Sequence, residues 1–138
     1  MMKNFTSIRS LLALAGALSL GACSSAAVTT PTVPAGPTAG WLTVQLTTPH
    51  TDDGAVQLSV SGPAIDSVKI VGYDGFESHS VTQADLVATG TISNGDVARI
   101  HVPDLSRTTQ YQVSVSAAAA RDSYALQDLA GYRAVLVR

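Results

Sequence analysis

Cysteine is almost absent from this sequence: one residue, Cys23, among 138. A lone thiol excludes an internal disulfide and any Cys-rich metal site. Charge is sparse as well, with Asp, Glu, Lys and Arg together at 13%. Lys3 and Arg9 precede Cys23 while every acid follows it, so beyond Cys23 six cations face ten acids, a net charge of −4. Such a balance carries no electrostatic footprint for nucleic acid. No uninterrupted apolar run reaches the roughly 20 residues that a permanent transmembrane helix needs. Aromatics are few, at 5%, and no Gly-x-Ser-x-Gly elbow presents a nucleophilic serine. Paired carboxylates for glycoside chemistry would need a cleft that a chain this short offers little room for. The expectation is a protein that is not an enzyme and carries no cofactor.

What is present begins with a segment built for export. Residues 1 to 10 hold Lys3 and Arg9 and no acid, and Leu11 to Leu20 is an apolar, helix-favouring run about half the length of a membrane span. The run stops at Leu20-Gly21-Ala22-Cys23. This tetrapeptide resembles the lipobox of bacterial lipoproteins, in which small residues before an obligatory cysteine permit cleavage once the thiol carries diacylglycerol. The resemblance implies a signal peptide over 1–22, lipidation of Cys23 with palmitate-type chains, and a place in the bacterial cell envelope. In that family Ser24 after the cysteine favours the outer membrane where the host has one. The alternative is an ordinary secretory signal cut near Ala22 or Ala27. At about 0.8 kcal/mol per buried methylene, two or three acyl chains would hold the protein at a membrane essentially permanently.

From Ser24 to Gly40 the chain has no charge, little apolar bulk, and prolines at 31, 34 and 37. Such a stretch does not offset its ordering entropy and favours extended polyproline II at about 3.1 Å per residue. Residues 23–40 therefore read as an anchor and a disordered spacer, with a single domain over 41–138.

In that domain apolar residues alternate with polar ones, the period that places every second side chain on one face of a strand. Leu42, Val44 and Leu46 make one such set; Val56, Leu58 and Val60 a second; Ser67 to Tyr73 a third; Leu86 to Ile92 and Val97 to Val102 two more; Tyr111 to Ala117 and Tyr132 to Val137 the last. Asp52-Asp53-Gly54 suits a tight reversal, Asn94-Gly95 a hairpin, and Ser123 to Leu129 one helical turn capped by Ser123. About seven short strands with turn residues between them predict an all-β, single antiparallel sandwich. Leu105, six residues before Tyr111, with Val113 and Val115 beyond, resembles the E–F corner of fibronectin type III and other immunoglobulin-like domains. That resemblance implies a tyrosine hydroxyl bonded to backbone a few residues upstream. A cohesin-like or carbohydrate-module-like sandwich would give much the same strand pattern.

Candidate binding residues cluster in Tyr73, Asp74, Phe76, Glu77 and His79, expected in a loop after the third strand. Tyr73 and Phe76 could stack on sugar rings or fill a partner's pocket. Asp74, Glu77 and His79 include donors suited to Zn²⁺ or Ca²⁺, but a solvated polar loop is the simpler reading, and no metal is assigned. Arg99 and His101 should share an outward face. The sequence thus points to a membrane-anchored envelope module that binds protein or glycan without catalysis; the alternative is a structural subunit of an envelope complex. Cys23→Ala is expected to abolish palmitate labelling and leave the precursor uncleaved; normal labelling of that variant would contradict the anchor.

Overall fold

The computed structural model describes residues 35–138. The expected signal peptide, the lipidation site Cys23 and most of the spacer lie outside the described residues. Eight strands are formed: β1 (Gly40–Thr47), β2 (Asp53–Ser61), β3 (Ser67–Ile70), β4 (Asp74–His79), β5 (Gln83–Thr89), β6 (Gly95–Val102), β7 (Gln112–Ala120) and β8 (Arg133–Val137), with a short 3-10 helix, Leu105–Gln110, before β7. They build two four-stranded antiparallel sheets, sheet A in the order β3-β6-β1-β8 and sheet B in the order β4-β5-β2-β7. No helix among the described residues is long and apolar enough to cross a membrane.

The alternation in sequence becomes the core directly. Leu42, Val44 and Leu46 from β1, Val56, Leu58 and Val60 from β2, and Leu86 from β5 are almost wholly buried, with Ile100 and Val102 from β6. Each of these strands thus buries one face between the sheets and leaves the other to solvent. Of three register shifts, at Val44/Gln45, Asp53/Ala55 and Gln57/Leu58, two show how the fit is adjusted. One, at Val44/Gln45, lets β6 bury both Val97 and Ala98; the other, at Gln57/Leu58, leaves Ser116 over, and its hydroxyl bonds back to the Gln57 carbonyl at 3.2 Å.

The predicted sandwich is there, with eight strands. The additional one is β4, where a loop from Tyr73 to Ser80 was expected: its Asp, Gly, Ser and His are poor strand formers, but it pairs along β5 in unbroken register from Asp74 opposite Thr89 to His79 opposite Ala84. Connectivity also differs from the sequence expectation. The strands pair as β1 with β8, β2 with β7, β3 with β6 and β4 with β5, the arrangement of one long hairpin rolled over on itself, then joined through β1·β6 and β2·β5. The architecture is an all-β, antiparallel sandwich of two four-stranded sheets, with a connectivity of its own.

Only β4 and β5 are paired sequence neighbours, so two expected turns are arches between sheets. Asn94-Gly95 does not close a hairpin, because β5 and β6 bury their apolar faces from opposite sheets. Asn94 Oδ1 instead accepts the Thr48 amide at 2.7 Å, and Gly95 takes φ +136°, open to glycine alone without strain. Asp52-Asp53-Gly54 likewise carries the chain from sheet A to sheet B. The third strand ends at Ile70 rather than Tyr73, stopped by Gly72 at φ +77°. Ser123 to Leu129 forms no helix: Ser123 Oγ accepts the Ala125 amide in a local turn, and Leu126 bridges to Ala119.

Tyr111 directly precedes β7 and is buried, but its hydroxyl reaches across the chain. It donates to the Ala64 carbonyl at 2.5 Å, 47 residues upstream in the β2–β3 connection, not a few residues away. The ring lies over Gly62, where any side chain would collide with it. The entry end of the sandwich is closed by the same region: Thr38 accepts the Leu105 amide at 2.8 Å, and Asp104 caps the 3-10 helix through Ser106. Tyr111→Phe should lower stability by about 1 kcal/mol by removing one buried hydrogen bond; an unchanged melting temperature would show that the Ala64 contact contributes nothing.

Candidate functional site

The five residues singled out in sequence do not converge on one point. Strand alternation sends Asp74, Phe76 and Ser78 of β4 to the outer face of sheet B and Gly75, Glu77 and His79 to the other. Tyr73 packs against the core, and its hydroxyl accepts the Ser93 amide at 3.3 Å, so it braces the β5–β6 arch rather than offering a free ring. Glu77 accepts the Ile70 amide at 2.9 Å, capping the end of β3. His79 is exposed at the entry end. Among the described residues no three His, Cys, Asp or Glu side chains gather as a metal site would require. Phe76 remains in the open, 67% exposed.

Phe76 belongs to a larger surface. In register, the outer face of sheet B reads in rows from β4 to β7: Asp74, Thr89, Ala55, Ala119; then Phe76, Val87, Gln57, Ala117; then Ser78, Asp85, Ser59, Ser114; then Gln83, Ser61, Gln112. At about 4.8 Å between strands this platform is roughly 14 Å wide. None of the rows contains a Lys or Arg. Asp85 is oriented by the Ser59 hydroxyl at 2.5 Å.

Along its β7 side the platform deepens into a hollow of about 470 Å³, floored by Ala55, Thr89 and Ala119 and walled by Arg121 and Tyr124. Its size falls within the range of small-molecule sites. Gly54 makes it possible: a Cβ there would fall on the Arg121 backbone, so the chain after β7 can lie directly on β2. Arg121 is held by its amide on the Asp52 carbonyl at 2.7 Å and by its guanidinium on the Thr91 hydroxyl at 2.9 Å. Tyr124 is 83% exposed at φ +56°, a left-handed conformation costly for a residue with a bulky side chain. The turn that imposes it is bonded twice to β7, Tyr124 amide to Ala120 carbonyl at 3.0 Å and Ala120 amide to Ala125 carbonyl at 2.9 Å. Sequence periodicity had no means of finding Arg121 and Tyr124, which lie outside any alternating run.

Beneath this end lies the most enclosed polar cluster. Asp53 is fully buried, and its carboxyl accepts hydrogen bonds from the Thr48 hydroxyl and, at 2.5 Å, from the Tyr132 hydroxyl. The Tyr132 ring stands 5.6 Å from that of His50. Burial, then the bond to Asp53, pushes the Tyr132 hydroxyl up to about 12 from its usual 10. The cluster is closed to substrate and its bonds are internal, so it braces the fold beside the hollow. No family model, curated protein or solved structure matches the chain.

A hydroxyl whose folded pKa lies above its unfolded one contributes stability that is complete below pH 10 and is lost as pH rises from about 10 towards 12. Melting temperature should therefore fall across that window in the wild type and fall less in Tyr132→Phe; identical profiles would detach Tyr132 from the alkaline transition.

Proposed function

We propose that this chain is a lipid-anchored protein of the bacterial cell envelope whose sandwich is a non-catalytic binding module, and that its ligand is a glycan held on the outer face of sheet B. The observation that carries the reading is the composition of that face: two exposed aromatics, Phe76 on the β4 side and Tyr124 beyond β7, flank a cation-free floor of Ala, Val, Ser, Thr, Gln and Asp. Aromatic rings pack against the apolar C–H faces of sugar rings, while amides, hydroxyls and a carboxylate satisfy sugar hydroxyls. A floor of small side chains lets a ring approach the sheet closely. A platform about 14 Å wide suits several linked sugars rather than one.

The anchor reading rests on Leu20-Gly21-Ala22-Cys23 and the export segment before it. Position supports its combination with the module. The chain enters β1 from the Cys23 side at Gly40, and the Tyr124 hollow lies at the opposite end of the sheets, near the β1–β2 arch, where a partner would reach it.

A second reading, an assembly subunit that pairs with a larger envelope complex, is favoured by β4, an edge strand whose six residues are all exposed. A glycan array separates the two. Binding to an envelope-type oligosaccharide should weaken about tenfold or more in Phe76→Ala and in Tyr124→Ala, with unchanged melting temperatures, since both rings are exposed. Absence of any glycan binding, or binding indifferent to both rings, would refute the glycan reading; a stoichiometric envelope complex lost on breaking the β4 edge would support assembly.

A further inference from the structure

We propose that the outer face of sheet A is a docking surface for an anionic phospholipid bilayer. The rows of this face, read in register, differ in kind from those of sheet B. Trp41 stands opposite His101, and His101 opposite Ser67; Val137, Thr43, Arg99 and Lys69 form the next row; Val135, Gln45 and Asp96 the third; Arg133 lies opposite Thr47. Three of the six cations beyond Cys23 are therefore on one sheet face, and the face of sheet B has none.

The arrangement of those cations is the informative part. Lys69 and Arg99 are direct cross-strand partners, both exposed, and like charges directly opposite one another destabilise a sheet. Among the described residues neither forms an ion pair. The nearby acids do not pair with them: Asp66, just before β3, lies 3.0 Å from His101 Nδ1, and Asp96 accepts the Gln45 amide at 2.9 Å. A pair of unneutralised neighbouring cations is what a surface of phosphate headgroups complements.

The apolar residues of the face fit the same partner. Trp41 is 45% exposed, set edge-on to the His101 ring with centroids 5.1 Å apart, and Val135 is 51% exposed. Tryptophan is the side chain that favours the headgroup boundary, where its ring is half in apolar surroundings and its N–H is wet. The acids outnumber the cations elsewhere on the domain, so the charge balance favours this face over the others against an anionic surface. Trp41 directly follows the residue at which β1 begins, eighteen positions after Cys23. With sheet A on the lipid, the aromatic platform of sheet B faces away from it. The inference draws its biological setting from the lipid-anchor reading, but the docking itself needs no acyl chain.

Trp41 is the only tryptophan in the chain, so its emission reports contact at this face alone. The full chain carrying Cys23→Ala, which holds no acyl chain, should show a blue-shifted, quencher-protected Trp41 on vesicles of phosphatidylglycerol and phosphatidylcholine at low salt. No shift is expected on pure phosphatidylcholine, and the shift should vanish at high salt. At about a fivefold effect per surface charge, the double variant Lys69→Gln, Arg99→Gln should bind anionic vesicles about 25-fold more weakly. Relief of the like-charge pair should leave its melting temperature equal or higher, which separates lost docking from lost fold. Unshifted emission on anionic vesicles, a shift undiminished in the double variant, or binding to a soluble anionic polysaccharide without vesicle binding would overturn the proposal. A shift in the Cys23→Ala chain while wild type takes up no palmitate would sink the anchor and leave the docking face standing.

Discussion

The far end of this sandwich is organised around one carboxyl group that water cannot reach. Asp53 stands at the first position of β2 with none of its surface exposed, and a buried carboxyl without donors costs more than almost any other single defect in a small domain. Its donors flank the β1·β8 ladder where Thr47 stands opposite Arg133: Thr48 from the residue after β1 and Tyr132 from the residue before β8. Its own carbonyl accepts the Ile92 amide at 3.0 Å, which draws in the arch between β5 and β6. Three crossings between the sheets are thus fixed around one residue. The hollow beside it inherits that rigidity, because Gly54 follows Asp53 directly and sets how closely Arg121 can approach.

The sandwich was legible because its signal is repeated. Leu42-Val44-Leu46 and Val56-Leu58-Val60 state their inward faces by alternation alone, and hydrophobic burial has no better way to satisfy two such strands than to face them together. Connectivity was less legible, since alternation gives which face is buried and not which strand lies alongside. Asn94-Gly95 illustrates the gap: the dipeptide that would close a hairpin closes an arch, because the two flanking strands are recruited to different sheets by their long-range partners. The β4 strand went unseen for a related reason. Its sequence, Asp-Gly-Phe-Glu-Ser-His, has weak strand preference and is held by pairing with β5 on one side only.

The candidate site was legible by half. Phe76 stands out as a bulky apolar residue among polar neighbours, and such residues are conspicuous in sequence. Tyr124 and Arg121 come to the same surface through a left-handed turn and a glycine-permitted contact, neither of which leaves a periodic trace. Tyr73 was read as a possible contact ring because nothing in sequence reveals that the Ser93 amide would claim its hydroxyl. The two outer faces divide further by charge: the polar half of each alternating strand is free to vary, and it carries cations on sheet A and uncharged or acidic side chains on sheet B.

The pairing of β1 with β8 constrains when this domain can fold. The first strand runs between β6 and the final strand, and Arg133–Val137 must be available before sheet A is complete. Only β4 and β5 form a ladder between sequence neighbours, so most of the pairing must await distant segments, a topology in which folding is slow. A nascent chain emerging from the ribosome would hold β1 without a partner until β6 was made, and would leave sheet A open at one edge until its last residues were made. Under the export reading proposed above, that delay keeps the polypeptide threadable for as long as synthesis lasts, and the fold begins its work only after the chain has been released.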